Sequence, residues 1–478
     1  MLDPTDSFYV ESAREMYELS HFITPLFNYS DWLDKPALPF LLIIACYKLF
    51  GVSAWAARLP SAICGTALVI FTYYSASKFL SRRAAIMAAL ILSSSPLFLI
   101  VGHVALTDEP LSFFYGAAML TLAECLLLKK PNGQFIPIIF LSLAILCKGP
   151  VALVLAFGTL ALFLILTSNS VEQIKEKVMR INPLSGLFLL ICLSLPYYLL
   201  AHATTNGAFT HDFFFRQNIG RFEGTVNHQE PFWWYVPIFL GGYFPWTLYL
   251  ITSGPWLDKI WRTRKHGTLR QSFLVYCFTW LIFVLSLFTF IPTKLPTYIV
   301  PISPALSIII AAYLDTILST SNSKPLLGPA LFLLIACLAA CIGAPLLPDL
   351  IGASLPFLNL TSCICGLLLC CTVLHTVLIL RNKKQQAISV LFAAIYAGAI
   401  SLIPLSFCMF YQTHQSSLDK LISTAKQNNA KLATLFSSIP SATFQYKEPI
   451  ENINSLAELE QFCKRTKALH LLLATKIA

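Results

Sequence analysis

Asp3-Pro4-Thr5-Asp6 and Asp34-Lys35-Pro36-Ala37-Leu38 bracket a polar opening stretch, and behind it comes one apolar run after another. The stretch holds Asp3, Asp6, Glu11, Glu15, Glu18, Asp31 and Asp34, with Arg14 and Lys35 as its only basic residues. Polar groups are costly beside a bilayer, so a concentrated polar segment on an apolar chain marks a place where polarity is used. Taken alone, the stretch reads equally well as a solvated tail. The rest of the chain separates the two readings.

Of the 478 residues, 56% are hydrophobic and 12% are charged, and the mean hydropathy is +0.70. Soluble domains are not built this way, so the composition predicts an all-α polytopic membrane protein. The net charge of +10 belongs to the loops between spans, and nucleic acid is not an expected partner. The fourteen cysteines form no CxxC pair and no metal-ligand spacing with histidine. Most lie in apolar runs, where cysteine behaves as a small hydrophobe. Only Cys463 falls in the polar tail, so the tail closes no internal disulfide. The N-terminus lacks a basic n-region and an apolar h-region, and no cleavable signal peptide is expected.

Residues 37–50 are apolar but too short for a ~30 Å core, which needs ~20 residues, and they predict an interfacial helix. Spans are expected at about 56–78, 84–104, 110–128, 134–147, 149–168, 184–201 and 233–253. Five more are expected at about 272–292, 297–318, 326–347, 355–380 and 387–411, about twelve in all. Three units follow: an opening loop with interfacial helices (1–55), a membrane domain (56–411) and a C-terminal tail (412–478).

The basic residues orient these spans. Arg82 and Arg83, Lys129 and Lys130, the Lys175–Arg180 group, the Lys259–Arg270 group, Lys324, and the Arg381–Lys384 group fall on alternate loops. By the positive-inside rule that side is cytoplasmic. The opening loop, the 202–232 loop and the tail then share the outer face. Between spans, the outer side carries only Lys148, Arg216, Arg221 and Lys294. Insertion disfavours cations there. Random surface charge accounts for one or two of them, and four point to a pocket for an anion.

The tail reads as a small α/β domain. A polar helix includes Ser416 to Lys426, strand-like runs cover Lys431–Phe436 and Ala442–Tyr446, and Leu469–Leu473 reads as a buried strand. Ser455-Leu-Ala-Glu458 has the pattern of a capping box. No catalytic constellation stands out in it, so a docking or stabilising role is expected.

An outer polar loop, cations at span ends and aromatic outer loops suit an amphiphilic phosphate. Guanidinium grips phosphate oxygens in two places and ammonium supplies a compact charge. Nearby carboxylates could serve as general base for an acceptor hydroxyl or could hold a divalent metal. Other residues carry plainer readings. His103 packs at a span end, and Trp233, Trp234 and Trp246 read as an interfacial belt. Asp108 and Glu109 have no neutralising neighbour in sequence and read as functional.

Specific motifs sharpen this. Tyr9-Val-Glu11-Ser-Ala-Arg14-Glu15-Met16, Asp34-Lys35-Pro36, Lys48-Leu-Phe-Gly51 and Trp55-Ala-Ala-Arg58-Leu-Pro60-Ser61 come first. Thr107-Asp108-Glu109-Pro110, Cys147-Lys148-Gly149-Pro150 and Asn218-Ile-Gly-Arg221-Phe222 follow in order. His228-Gln-Glu-Pro231-Phe-Trp233 and Lys294-Leu-Pro296-Thr-Tyr298 complete the set. This ordered set resembles the GT-C membrane glycosyltransferases: the aminoarabinose transferases of lipid A and their protein O-mannosyltransferase relatives. The resemblance implies a bacterial inner-membrane enzyme, acting on the periplasmic face, that moves a hexosyl or pentosyl group from a polyprenyl-phosphate sugar to lipid A or another envelope acceptor. It implies that Lys35, Arg221 and Tyr298 hold the lipid phosphate. Lys294, Lys148, Asp108 and His228 are expected around the same substrate, and Asp6, Asp3 or Asp34 as the catalytic carboxylate.

Two departures stand out. The family's adjacent acidic pair is here Thr5-Asp6, and its arginine two residues on is Phe8; its Glu-Lys-Pro-Pro is Asp34-Lys35-Pro36-Ala37. The family also places a transmembrane helix before the first loop, whereas this sequence opens directly on Met1-Leu2-Asp3. The rival readings are a transporter or flippase of lipid-linked sugars and a non-catalytic relative of the family. A transporter tends to show internal repeats with broken helices near the midplane, and no repeat is found.

Overall fold

A computed structural model of the chain describes residues 6–129, 133, 135–223, 229–343, 355–410, 416–427 and parts of 432–462. Helix α1, Ser7–Glu18, follows Asp6. A small hairpin pairs Leu26–Phe27 with Ser30–Asp31. Its turn places Asn28 and Tyr29 at positive φ (53° and 59°), and the Tyr29 N–H donates to Glu15 Oε2 at 2.8 Å, which anchors the turn on α1. Helix α2, Leu38–Phe50, is the short apolar helix expected there. The Tyr47 hydroxyl donates to the Val10 carbonyl at 3.0 Å and binds α2 to α1.

Helix α3, Ala54–Ser77, starts at Ser53, whose Oγ accepts from the Ala56 N–H at 3.2 Å. That side chain satisfies one of the first-turn amides the helix itself cannot pair. Helices α4 (Arg82–Ser93) and α5 (Pro96–Gly102) meet at a 63° bend. Pro96 supplies no N–H to extend α4, so the chain turns there. Helix α6 is Asp108–Leu127, α7 is Phe135–Lys148 and α8 is Val151–Thr167. Helix α9, Val171–Arg180, is amphipathic and carries the basic residues of its loop, and α10, Pro183–Thr204, follows. Long helices then run over Leu269–Phe290, Ser303–Ser319, Lys324–Gly343, Leu355–Leu380 and Lys384–Phe410.

A helix or a pair of helices occupies every span that the sequence predicts. Among the described residues, seven are long and apolar enough to cross a membrane, or eight if α4 and α5 are one bent span. The expected runs at 134–147 and 149–168 are α7 and α8, of 14 and 17 residues. The run at 233–253 is not one helix: it divides into Tyr235–Gly242 and Trp246–Thr252. Pro245 between them cannot continue the ladder. Trp246 is not a belt residue either. It is buried, with its indole N–H donating to Ser94 Oγ at 3.1 Å.

Two carboxylates inside this bundle are paired with cations, whereas Glu109, at the start of α6, is fully buried with neither carboxyl oxygen hydrogen-bonded. Lys78 meets Glu124 at 2.6 Å and Arg83 meets Asp315 at 2.6 Å, both near helix ends on the side of the basic loops. In the tail, strands Ala433–Leu435 and Glu451–Ile453 pair in parallel beside helix Ser416–Gln427. Residues 442–446, expected as a strand, instead form the helix Pro440–Tyr446. Proline suits the first helical position, where no N–H is needed. This helix packs against α1, and Phe444 joins the apolar cluster around Val10 and Phe40. Of the capping box, the Glu458 N–H does donate to Ser455 Oγ at 3.2 Å. The expected strand at Leu469–Leu473 lies outside the described residues.

Candidate functional site

Five segment ends converge on one pocket. Asp34 and Lys35 close the opening loop just before α2, and the Ala37 N–H donates to the Tyr197 hydroxyl at 2.9 Å, fixing that loop on α10. Asp108 is the first residue of α6 and Lys148 the last of α7. Gly149 then turns the chain at a φ of +93°, and a Cβ there would sit 2.4 Å from the Phe213 ring. Only glycine fits that conformation and that contact together. Phe213 lies in a π-helical stretch, His211–Ile219, that leads into Arg221. A 3-10 turn, Pro296–Ile302, supplies Tyr298.

The open pocket they line spans about 660 Å³ of empty space, part of it open to solvent, with Phe213, Phe288 and Ile291 among its apolar walls. Lys35 Nζ lies 2.5 Å from Asp34 Oδ2, and Lys148 Nζ lies 2.5 Å from Asp108 Oδ1. The Lys148 ammonium also sits 4.5 Å from the centre of the Tyr298 ring. Arg221 Nη1 donates to the Tyr298 hydroxyl, and Nη2 donates to Gln217 Oε1 at 3.0 Å. Asp34 Oδ1 is buried without a hydrogen bond, 4.0 Å from Arg221 Nη2. Three cations face two carboxylates, which leaves the pocket one positive charge in excess. Such a site favours an anion, above all where low dielectric strengthens the attraction.

Burial is the main influence on Lys35 and pushes its ammonium below the ordinary lysine value; Arg221 and Lys148 push the same way, while Asp34 opposes them. Burial, then Asp34 and Asp108, raises the Tyr9 phenol, so Tyr9 stays a neutral donor beside the pocket. The Lys35 shift has a consequence for binding. Between its depressed pKa and the ordinary 10.5, empty folded protein has lost a proton that a bound phosphate would restore. Affinity of the pocket for a phosphate anion is therefore expected to be full below the depressed pKa and to fall as pH rises through it. Binding measured across the alkaline range checks this, and Lys35→Arg should remove the alkaline loss.

The other expected residues lie elsewhere. Asp6 is buried, and its Oδ2 accepts from Arg58 Nε at 2.9 Å and Nη2 at 2.6 Å. It is not among the pocket-lining residues. Lys294 does not join the pocket either: its ammonium donates to the carbonyls of Ile291 at 2.7 Å and Glu230 at 3.0 Å. It holds together the turn that precedes Tyr298. Arg216 is exposed, 3.8 Å from Asp212, and the exposed His103 ring bonds the Leu99 carbonyl at 2.7 Å. Asp3 and His228 lie outside the described residues. Among the pocket residues, sequence reasoning missed Gln217, Phe213, Phe288 and Ile291. The four-residue spacing from Gln217 to Arg221 was the one available signal.

For a divalent metal, the described residues offer no group of three or more His, Cys, Asp or Glu side chains. The two carboxylates of the pocket each already hold a lysine. Among the described residues, that donor set does not fit a metal.

Fold and pocket together define a polytopic helical membrane protein with a cationic site where several helices end. A family model described as dolichyl-phosphate-mannose-protein mannosyltransferase matches residues 1–206. The undecaprenyl phosphate-alpha-4-amino-4-deoxy-L-arabinose arabinosyl transferase of Serratia proteamaculans is 30% identical over 357 residues, covering 72% of this chain and 62% of that protein. An uncharacterized protein of Aquifex aeolicus is 27% identical over 314 residues, covering 66% of this chain and 59% of its own length. The chain thus spans about three-fifths of these relatives. In fold it matches the crystal structure of ArnT from Cupriavidus metallidurans bound to undecaprenyl phosphate, with a TM-score of 0.78 at 18% identity, over 97% of this chain and 84% of that one. The chain belongs to the GT-C family of membrane glycosyltransferases that holds the aminoarabinose transferases and the protein O-mannosyltransferases.

Proposed function

We propose that the chain transfers a sugar from a polyprenyl phosphate to lipid A or another envelope acceptor on the periplasmic face of the inner membrane. The observation that carries this is the meeting of Lys35, Lys148, Arg221 and Tyr298 around one pocket, at ends the basic loops assign to the outer side. The arabinosyl transferase name of the Serratia relative supports the donor class. Twelve crossings, with α7, α8 and the broken 233–253 segment counted among them, agree with the alternation of basic loops.

Arg221, Lys35 and the Tyr298 hydroxyl bind the phosphate of the donor, and Lys148 lines the same cavity. An acceptor oxygen attacks the anomeric carbon. The bond from that carbon to the phosphate oxygen breaks, and polyprenyl phosphate leaves with the electron pair. The cations steady the charge that grows there, which is worth most when the donors are already in place. Asp34 Oδ1 takes the proton of an acceptor hydroxyl. An acceptor that is already an ionised phosphate gives up no proton.

Mass spectrometry of lipid A and envelope glycans from cells with and without the gene tests the reading. A glycan that disappears with the gene and returns with the wild-type chain supports it, and identical profiles refute it. Cysteine-accessibility labelling in a cysteine-depleted background tests the sidedness. Positions in 6–35 should label in intact cells, and positions in 254–271 only after lysis. The reverse pattern overturns the outer placement of the pocket.

A further inference from the structure

Beside the phosphate pocket lies a surface of a different character. Phe8 and Tyr9 of α1 meet Phe27 and Trp32 at the hairpin. The centre of the Phe8 ring lies 4.7 Å from that of Phe27 and 5.7 Å from that of Trp32, and Tyr9 lies 5.6 Å from Trp32. All four side chains are half-buried, so the cluster keeps part of its aromatic surface open. Tyr9 links it to the pocket, because its phenol feels the charges of Asp34 and Asp108. The charge around these rings is negative. Asp31, next to Trp32, is exposed, and its Oδ1 accepts from the Thr24 hydroxyl at 3.0 Å. From Asp6 to Lys35 the chain carries six carboxylates against two cations. Of those cations, Arg14 is held by Glu11, and Lys35 lines the donor pocket. Phe8 stands where the family pattern has an arginine.

We propose that this cluster seats a neutral sugar ring of the acceptor, so that transfer goes to a glycan hydroxyl and not to a phosphate. The proposal rests on the donor site described above and names the class of the second substrate. One face of a pyranose is a sheet of C–H groups, which suits the electron-rich face of an aromatic ring. Its hydroxyls then lie at the rim, where a carboxylate such as Asp31 accepts their protons. A phosphate in the same place would meet Asp31 and the excess negative charge of the loop, and like charges placed together disfavour binding. A hydroxyl also brings the proton that the reaction must shed. Its oxygen bonds the anomeric carbon, the lipid phosphate departs with the bonding pair, and Asp34 Oδ1 takes the proton.

Saturation-transfer NMR on the purified full chain, in a detergent without a sugar headgroup, tests this with methyl glucoside and its phosphate monoester as probes. Undecaprenyl phosphate is kept saturating, so the charged probe does not enter the donor pocket. Wild type should favour the neutral probe by about threefold or more. Trp32→Ala should weaken methyl glucoside binding by about three- to tenfold, the worth of one aromatic contact, with affinity for undecaprenyl phosphate as the folding control. Phe8→Arg sets a cation on the cluster and should reverse the preference, which loosened packing alone would not do. Folded Trp32→Ala and Phe8→Arg proteins that bind both probes as wild type does would overturn the proposal. So would a wild-type preference for the phosphate monoester. Undecaprenyl phosphate that fails to bind wild type is a different failure: it removes the donor site and the proposal with it.

Discussion

Asp34→Asn is expected to lower turnover onto a hydroxyl acceptor by about 10²–10⁴-fold, the range general-base assistance supplies. Donor binding should not weaken with it. Asparagine keeps the size of the side chain but removes a negative charge beside Lys35 and Arg221, so affinity for an anionic lipid should hold or improve. Single-turnover rates and donor affinity, measured on the same purified variant, separate the two effects. Full turnover in Asp34→Asn, with a hydroxyl acceptor identified, would remove the base assignment. Asp6→Asn makes the contrast. Its carboxylate is buried against Arg58, and cutting a buried pair leaves an uncompensated charge. The expected loss is in yield of folded protein, with turnover per folded molecule retained.

The contrast between Asp6 and Asp34 also marks how far the sequence was legible. Cations on the disfavoured side of the membrane can be read from loop parity, and Lys35, Lys148 and Arg221 do share a pocket. The role of a carboxylate depends on its partner. Arg58 lies 52 residues from Asp6, and no local pattern announces that pairing. Lys294 carried the same signal as the other cations, yet nearby backbone carbonyls satisfy its ammonium. Charge and position predict where a lysine sits, but the donors and acceptors folded around it decide what it holds. Helix existence was legible throughout the membrane domain because long apolar runs have few alternatives in a bilayer. In the polar tail, by contrast, residues 440–446 became a helix where a strand was expected, since short mixed segments take their form from what they pack against.

Lys35→Ala and Arg221→Ala should each weaken donor use by about ten- to a hundredfold, because a hydrogen bond to a charged group is worth roughly 1.5–3 kcal/mol. Arg221→Lys should also be impaired. Its two η-nitrogens reach Tyr298 and Gln217 at once, and a lysine provides one compact ammonium that cannot span both positions. Lys294→Ala belongs to a different class. Its ammonium is occupied by the carbonyls of Ile291 and Glu230, so its removal should loosen the turn before Tyr298 and reduce folded yield. Binding of undecaprenyl phosphate and turnover, compared across the four purified variants at matched folded content, distinguish a pocket from a scaffold. If Lys35→Ala and Arg221→Ala bound the lipid as wild type does, the shared pocket would not be where the phosphate goes. If Lys294→Ala alone lost donor affinity while folding normally, the anion would have to sit on the Lys294 turn, with its carbonyls turned away.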